Sequence, residues 1–168
     1  MRSKTLVALV RTAVLAALAV AFQSLGLHQY ITGPVINAIL YVAALFISPF
    51  SSVAVGIISP WTAFLFGITK FAPVIPVIMA GNVSLALVSG YLGRYQKHAG
   101  LAVAAVVKFL VMTAGVKYLV MTGTRVPAAV YAAMTLTQLF TALIGAVLAL
   151  IVLEGLKAFE ARGRHERA

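Results

Sequence analysis

The sequence predicts an all-α integral membrane protein, a compact bundle of six transmembrane helices with both termini on the cytoplasmic side. Three observations predict it. Of the 168 residues 62% are apolar and 10% charged, with a mean hydropathy of +1.06, a composition that fits a chain dissolved in lipid and no ordinary soluble domain. At about 20 apolar residues per helical span the length allows five or six crossings and little more, so a single membrane domain over 1–168 is expected. The basic residues flank the apolar stretches, which is how topology is encoded. The net charge of +10 therefore does not point to nucleic acid.

The spans follow from the apolar stretches and their Gly, Pro and charged punctuation. The first is expected at 5–26. It is too long for a cleavable signal, and Phe22-Gln23-Ser24-Leu25 offers no small-residue cleavage site. Thr32-Gly33-Pro34 opens the second span, 32–49, and Ser48-Pro49-Phe50-Ser51 separates it from the third, 51–67. The residue before a proline is pushed out of the helical region, so these two read as a tight helical hairpin, with a five-span chain as the alternative. Pro73 and Pro76 fall in the first turns of the fourth span, 71–93, and Gly81-Asn82 interrupts it midway. The fifth and sixth follow at 99–122 and 127–158, and 159–168 is left as a short solvated tail of mixed charge. Arg2, Lys4 and Arg11, Arg94 and Lys97, and Lys157, Arg162, Arg164 and Arg167 all fall on one side, against Lys70 and Arg125 on the other. The positive-inside rule then puts both termini in the cytoplasm.

Acidic residues are confined to Glu154, Glu160 and Glu166, so the first 153 residues carry no carboxylate side chain. Ion-coupled pumps place Asp or Glu at membrane depth, and a protein of this composition that moves a solute draws its energy from elsewhere. Helical rise sets the depth of the remaining polar residues. Gln23 lies near the outer end of the first span, Asn37 about 8 Å inside the second and Trp61 about 9 Å inside the third, while Asn82, Lys108 and Gln138 fall about 15 Å in, near the midplane. Such groups face the bundle interior or a wet cavity, and their shared outer-half depth suggests an outward-facing small-molecule pocket.

Lys108 is the sharpest of these, because Val106-Val107-Lys108-Phe109-Leu110 embeds an amine in hydrocarbon with no acidic residue at comparable depth. Either something anionic visits it or it is deprotonated; a structural role, bonding to backbone carbonyls, is the competing reading. Lys117 is nine positions away, about half a turn out of phase, and near the outer interface, where snorkelling is common. Asn37, Asn82, Gln23 and Gln138 are candidates for ligand contact or for bonds between helices. Trp61 is a candidate stacking wall for a ring or a packing residue. Ala13, Ala17 and Ala21, at i, i+4 and i+8, form a smooth stripe on which another helix can pack. Catalytic constellations are missing: Cys and Asp are absent, the three His are scattered, and no phosphate loop occurs, so neither an enzyme nor a cofactor is expected.

Taken together, Arg11-Thr12-Ala13-Val14-Leu15-Ala16-Ala17-Leu18-Ala19-Val20-Ala21, Ile31-Thr32-Gly33-Pro34-Val35-Ile36-Asn37-Ala38, Ser59-Pro60 and Ala72-Pro73-Val74-Ile75-Pro76-Val77-Ile78-Met79-Ala80-Gly81-Asn82 resemble the substrate-binding S components of energy-coupling factor (ECF) transporters. The resemblance covers nearly the whole chain. It implies a subunit of a prokaryotic cytoplasmic membrane that captures a vitamin-like nutrient from outside, driven by a separate membrane scaffold (T) component and two cytoplasmic ATPases. It would give Ala13, Ala17 and Ala21 a docking role against that scaffold, favour Asn82, Lys108 and Gln138 as ligand contacts, and make 27–33 and 67–72 candidate lids. The alternatives left by the residues themselves are a non-transport scaffold or assembly subunit and a passive facilitator.

Overall fold

The computed structural model describes residues 2–165 and the side chains of residues 4–159. Its regular elements are all helical: α1 Arg2–Ser24, α2 Gln29–Val42 continuing into a π-helical turn Ala43–Ile47, α3 Pro49–Leu65, a 3-10 turn Ala72–Val74 leading into α4 Ile75–Leu92, α5 Lys97–Met121, α6 Ala128–Met134 and α7 Leu136–His165. Five segments are long and apolar enough to cross a membrane, namely Lys4–Ser24, Gln29–Ile47, Ala72–Leu92, Lys97–Met121 and Ala128–Phe159. Helix α3, at 17 residues, is apolar but shorter. The tail expected at 159–168 has a helical backbone through His165, and its last three residues lie outside the described ones.

The turn between α2 and α3 is built by one residue. Ser48 is extended (φ −165°, ψ 158°), as a residue before proline should be, and its Oγ accepts from the Ser51 N–H at 3.0 Å. That bond caps α3, whose first residue, Pro49, has no N–H to satisfy. Ser52 Oγ then donates to the Leu40 carbonyl at 2.8 Å, tying the two helices together one turn deeper.

Lipid is as apolar as leucine, so close approach of backbones has to hold these helices together. A Cβ added at Gly145 on α7 would sit 2.6 Å from Asn37 Cβ and 2.8 Å from the Pro34 carbonyl oxygen on α2. One turn earlier on α7, Thr141 Cγ2 would lie 2.9 Å from a Cβ at Gly33. Helices α4 and α5 meet in the same manner, with Gly81 against Met112 and Gly115 against Val77. Because the Gly145 contact is to backbone, which cannot rotate away, Gly145→Ala should destabilise the protein by about 1–3 kcal/mol. A thermal melt in detergent would read this as a lowered midpoint, and an unchanged midpoint would mean that α2 and α7 are farther apart than described.

Two apolar cores result. One gathers Leu40, Tyr41, Val55, Leu85, Leu101, Ala104 and Ala105; the other gathers Val74, Val77, Met112, Val116 and Met134. Along α5 the order is Leu101, Ala104 and Ala105, then Lys108, then Met112 and Val116. The buried amine thus sits in a polar layer between two dry ones.

The stretch expected as one helix at 127–158 is divided at Thr135, whose backbone is not helical (φ −110°, ψ −119°). Thr135 Oγ1 bonds to the Tyr131 carbonyl at 3.1 Å, and Gln138 Nε2 donates to the Ala133 carbonyl at 3.1 Å. Side chains that satisfy backbone groups locally offer the chain an alternative to continued helix. The break brings Met134 and Gln138 to the edge of the polar layer.

Candidate functional site

Lys108, 3% exposed, reaches from α5 across the bundle. Its Nζ donates to Asn37 Oδ1 on α2 at 2.6 Å and to Asn82 Oδ1 on α4 at 2.8 Å. Both amides are themselves oriented by second bonds. Asn37 Nδ2 donates to Thr141 Oγ1 at 3.4 Å, and that hydroxyl donates to the Gln138 carbonyl at 3.2 Å. Asn82 Nδ2 donates to the Gly56 carbonyl at 3.1 Å.

The Gly56 carbonyl is available because of the residue four positions on. Pro60 lies inside α3 and has no N–H, so the helical bond that Gly56 O would accept cannot form. Gly56 also lets Asn82 come close, since a Cβ there would be 3.0 Å from Asn82 Cβ. The seat of Asn82 is therefore written into the spacing Gly56-x-x-x-Pro60.

A second network lines the α1–α3 side. Gln23 Nε2 donates to Ser59 Oγ at 3.0 Å and Gln23 Oε1 accepts from Thr62 Oγ1 at 2.8 Å. Both networks open on one cavity of about 100 Å3, whose lining includes Gln23, Asn37, Asn82, Lys108 and Gln138. Five of the six candidate binding residues are brought together. Trp61 is not: it is half-exposed and stays outside the lining, although its neighbours Ser59 and Pro60 contribute to it. Lys117, on the other face of α5, is exposed. Ala13, Ala17 and Ala21 are exposed on α1, whose inward contacts are made by residues such as Ala19 and Gln23.

Above this chamber lies a wider hollow of about 590 Å3 that shares Gln29, Thr32, Ile68, Thr69 and Met134 with it. Its walls come from the α1–α2 loop, the α3–α4 loop and α6. Gly26 (φ 62°) and Gly67 (φ 71°) turn those loops in the left-handed region that glycine enters without strain. His28 starts α2 by accepting from the Tyr30 N–H, and the two rings stack with centroids 5.2 Å apart. Segments 27–33 and 67–72 thus both border this hollow.

The electrostatics are one-sided. An ammonium has three N–H donors; two go to neutral amide oxygens, and the third is left for the cavity that Lys108 lines. Glu154, the one carboxylate among the described side chains, is exposed on α7, about 24 Å along the helix from Gln138. Amide oxygens solvate a cation but do not neutralise it. Gln29 and Thr32 line the same cavity, and Thr62 and Thr141 stand behind it through their bonds to Gln23 and Asn37, without having been singled out in the sequence. Thr141 is marked there only by lying one turn from Gln138.

The family model described as the ECF transporter substrate-specific component matches residues 7–156 of the chain. No curated protein and no solved structure matches it.

Proposed function

The chain belongs to the family of ECF transporter substrate-specific components, and from that premise we propose that it captures a small, vitamin-like anion with high affinity from the outer side of a prokaryotic cytoplasmic membrane. Family membership makes it a membrane-embedded transport subunit that binds substrate, and not an enzyme. The finer reading is of one membrane domain crossing six times, with both termini in the cytoplasm and the wide hollow facing out.

A single observation carries the substrate class: a buried amine held by two neutral amides in a chain with no carboxylate before position 154. A chamber of about 100 Å3 takes a carboxylate or phosphate. It does not take a whole vitamin-sized molecule, whose sites run to about 300–1,000 Å3. The body of the ligand would fill the wider hollow, where Phe66, Phe71 and Val130 provide apolar contact. Trp61 has no stacking role in this reading. Loops 27–33 and 67–72 would close over the ligand, and partner ATPases would supply the energy, as membership of an ECF transporter implies.

Gentle extraction of the tagged protein from its native membrane tests the transport assignment. Recovery of a membrane scaffold and two ATPases is expected, whereas recovery with lipid alone, under conditions that keep a known ECF complex intact, would sink it. The exposed Ala13, Ala17 and Ala21 are proposed to dock on the scaffold. Ala17→Trp should then abolish scaffold recovery while leaving ligand affinity within about twofold, because a large ring prevents close helix contact. Retained scaffold would move the interface elsewhere.

A further inference from the structure

At the opposite end of the bundle from the wide hollow lies a basic cavity of about 170 Å3 between the π-helical end of α2, the α4–α5 loop and α7. Arg94, Lys97 and Lys157 line it together with Leu45, Phe46 and Leu153. Arg94 and Lys157 are exposed and Lys97 half-buried, while Leu153 is buried, so the cations form the rim and the apolar groups the floor. A neighbouring hollow of about 280 Å3 shares Phe46 and adds Lys4 and Arg11, and the Arg11 guanidinium lies 4.6 Å above the Phe46 ring.

The chain draws these charges together by design of its turn. Gly93 and Gly100 are in backbone contact that a Cβ at Gly100 would prevent, which closes the α4–α5 turn tightly. Lys97 is also the first residue of α5, and no side chain caps that helix at Gln96. A 25-residue helix therefore presents its positive end and unbonded N–H groups beside three cations. No carboxylate side chain precedes Glu154 in the chain, and Glu154, the one carboxylate among the described side chains, lines neither hollow. Tyr91 and Tyr95, both exposed, stand beside the turn, as aromatic residues do at the level of lipid headgroups.

We propose that this cavity binds the phosphate of an anionic phospholipid headgroup, with Arg94, Lys97, Lys157 and the N-terminus of α5 holding the phosphate oxygens and the Leu45–Phe46–Leu153 floor receiving the start of the acyl chains. The proposal is independent of the substrate site. Basic pockets between transmembrane helices recognise such headgroups, and a volume equal to five or six waters at about 30 Å3 each accommodates one phosphate group.

Native mass spectrometry of the delipidated protein with added phosphatidylglycerol or phosphatidylcholine tests it, with inorganic phosphate as competitor. Wild type should retain phosphatidylglycerol preferentially, and R94Q/K97Q/K157Q should lose about 100-fold in that retention, at about fivefold per charge. The charge-conserving R94K/K97R/K157R should keep most of it, which separates charge from folding. Displacement of the lipid by an equal concentration of inorganic phosphate would assign the site to the free ion and overturn the lipid source. Equal retention of the two lipids by wild type, or unchanged retention by the Gln variant, would overturn the site altogether.

Discussion

Replacing Lys108 by Met is expected to weaken binding of the anionic ligand by at least about 30-fold while leaving a folded, monodisperse protein. The affinity loss follows from removing the only cation in the chamber: truncating one partner of a buried, hydrogen-bonded charge pair costs about 2–5 kcal/mol. Stability is set by two opposing terms. Met leaves Asn37 Oδ1 and Asn82 Oδ1 without the donors they have at 2.6 and 2.8 Å, at about 1–3 kcal/mol for each unsatisfied buried group. It also removes an amine whose burial opposes folding, and buried charges replaced by apolar residues of similar size are often neutral or better for stability. Calorimetric titration checks the affinity and a thermal melt the fold. Unchanged affinity in a folded variant would confine Lys108 to a structural role.

Asn37→Asp is the second large effect, and it separates charge from shape. The new carboxylate would stand where Asn37 Oδ1 now accepts from Lys108 at 2.6 Å, an internal counterion within the chamber. The bond lost with the Asn37 amide is the long one, 3.4 Å to Thr141 Oγ1, and that hydroxyl can turn from the Gln138 carbonyl, to which it donates at 3.2 Å, to the carboxylate. The melting midpoint should therefore be held or raised, while affinity for an anion falls about 100-fold because its place beside Lys108 is taken. Asn82→Asp makes the contrast, since Asn82 is the donor to the Gly56 carbonyl that Pro60 leaves free. It should lose affinity and also about 1–3 kcal/mol of stability. Strong anion binding by a folded Asn37→Asp protein would show that the ligand's charge is met by some other group.

The level of a residue along the bundle is readable from the sequence, and the direction it faces is not given by that level. Rise along each span puts Gln23 and Asn37 toward one end and Asn82, Lys108 and Gln138 near the middle, and all five line one cavity. Trp61 was given a similar depth but faces outward. In α3 the outward surface, with Phe50, Ile57, Ile58 and Leu65, is more apolar than the inward one, with Ser52, Gly56 and Ser59, so a large apolar ring such as Trp61 belongs to the outward face. The sequence did not show that both Asn oxygens turn toward Lys108, which depends on the rotation of α2, α4 and α5 about their axes. The break at Thr135 carries no Gly or Pro mark, since Ala132-Ala133-Met134-Thr135-Leu136-Thr137 contains neither. The freed Gly56 carbonyl was within reach, as a proline four residues after any helical position leaves that carbonyl without its donor. The Ser48-Pro49 turn was legible for the converse reason, being fixed by local chemistry alone.

The most direct test of the account is native mass spectrometry of wild type and Lys108→Met, each extracted gently from its own membrane and examined for bound small molecules. The account predicts a small anionic species on the wild type that is absent from the variant. The same species retained equally by both proteins would contradict a charge-recognition site at Lys108.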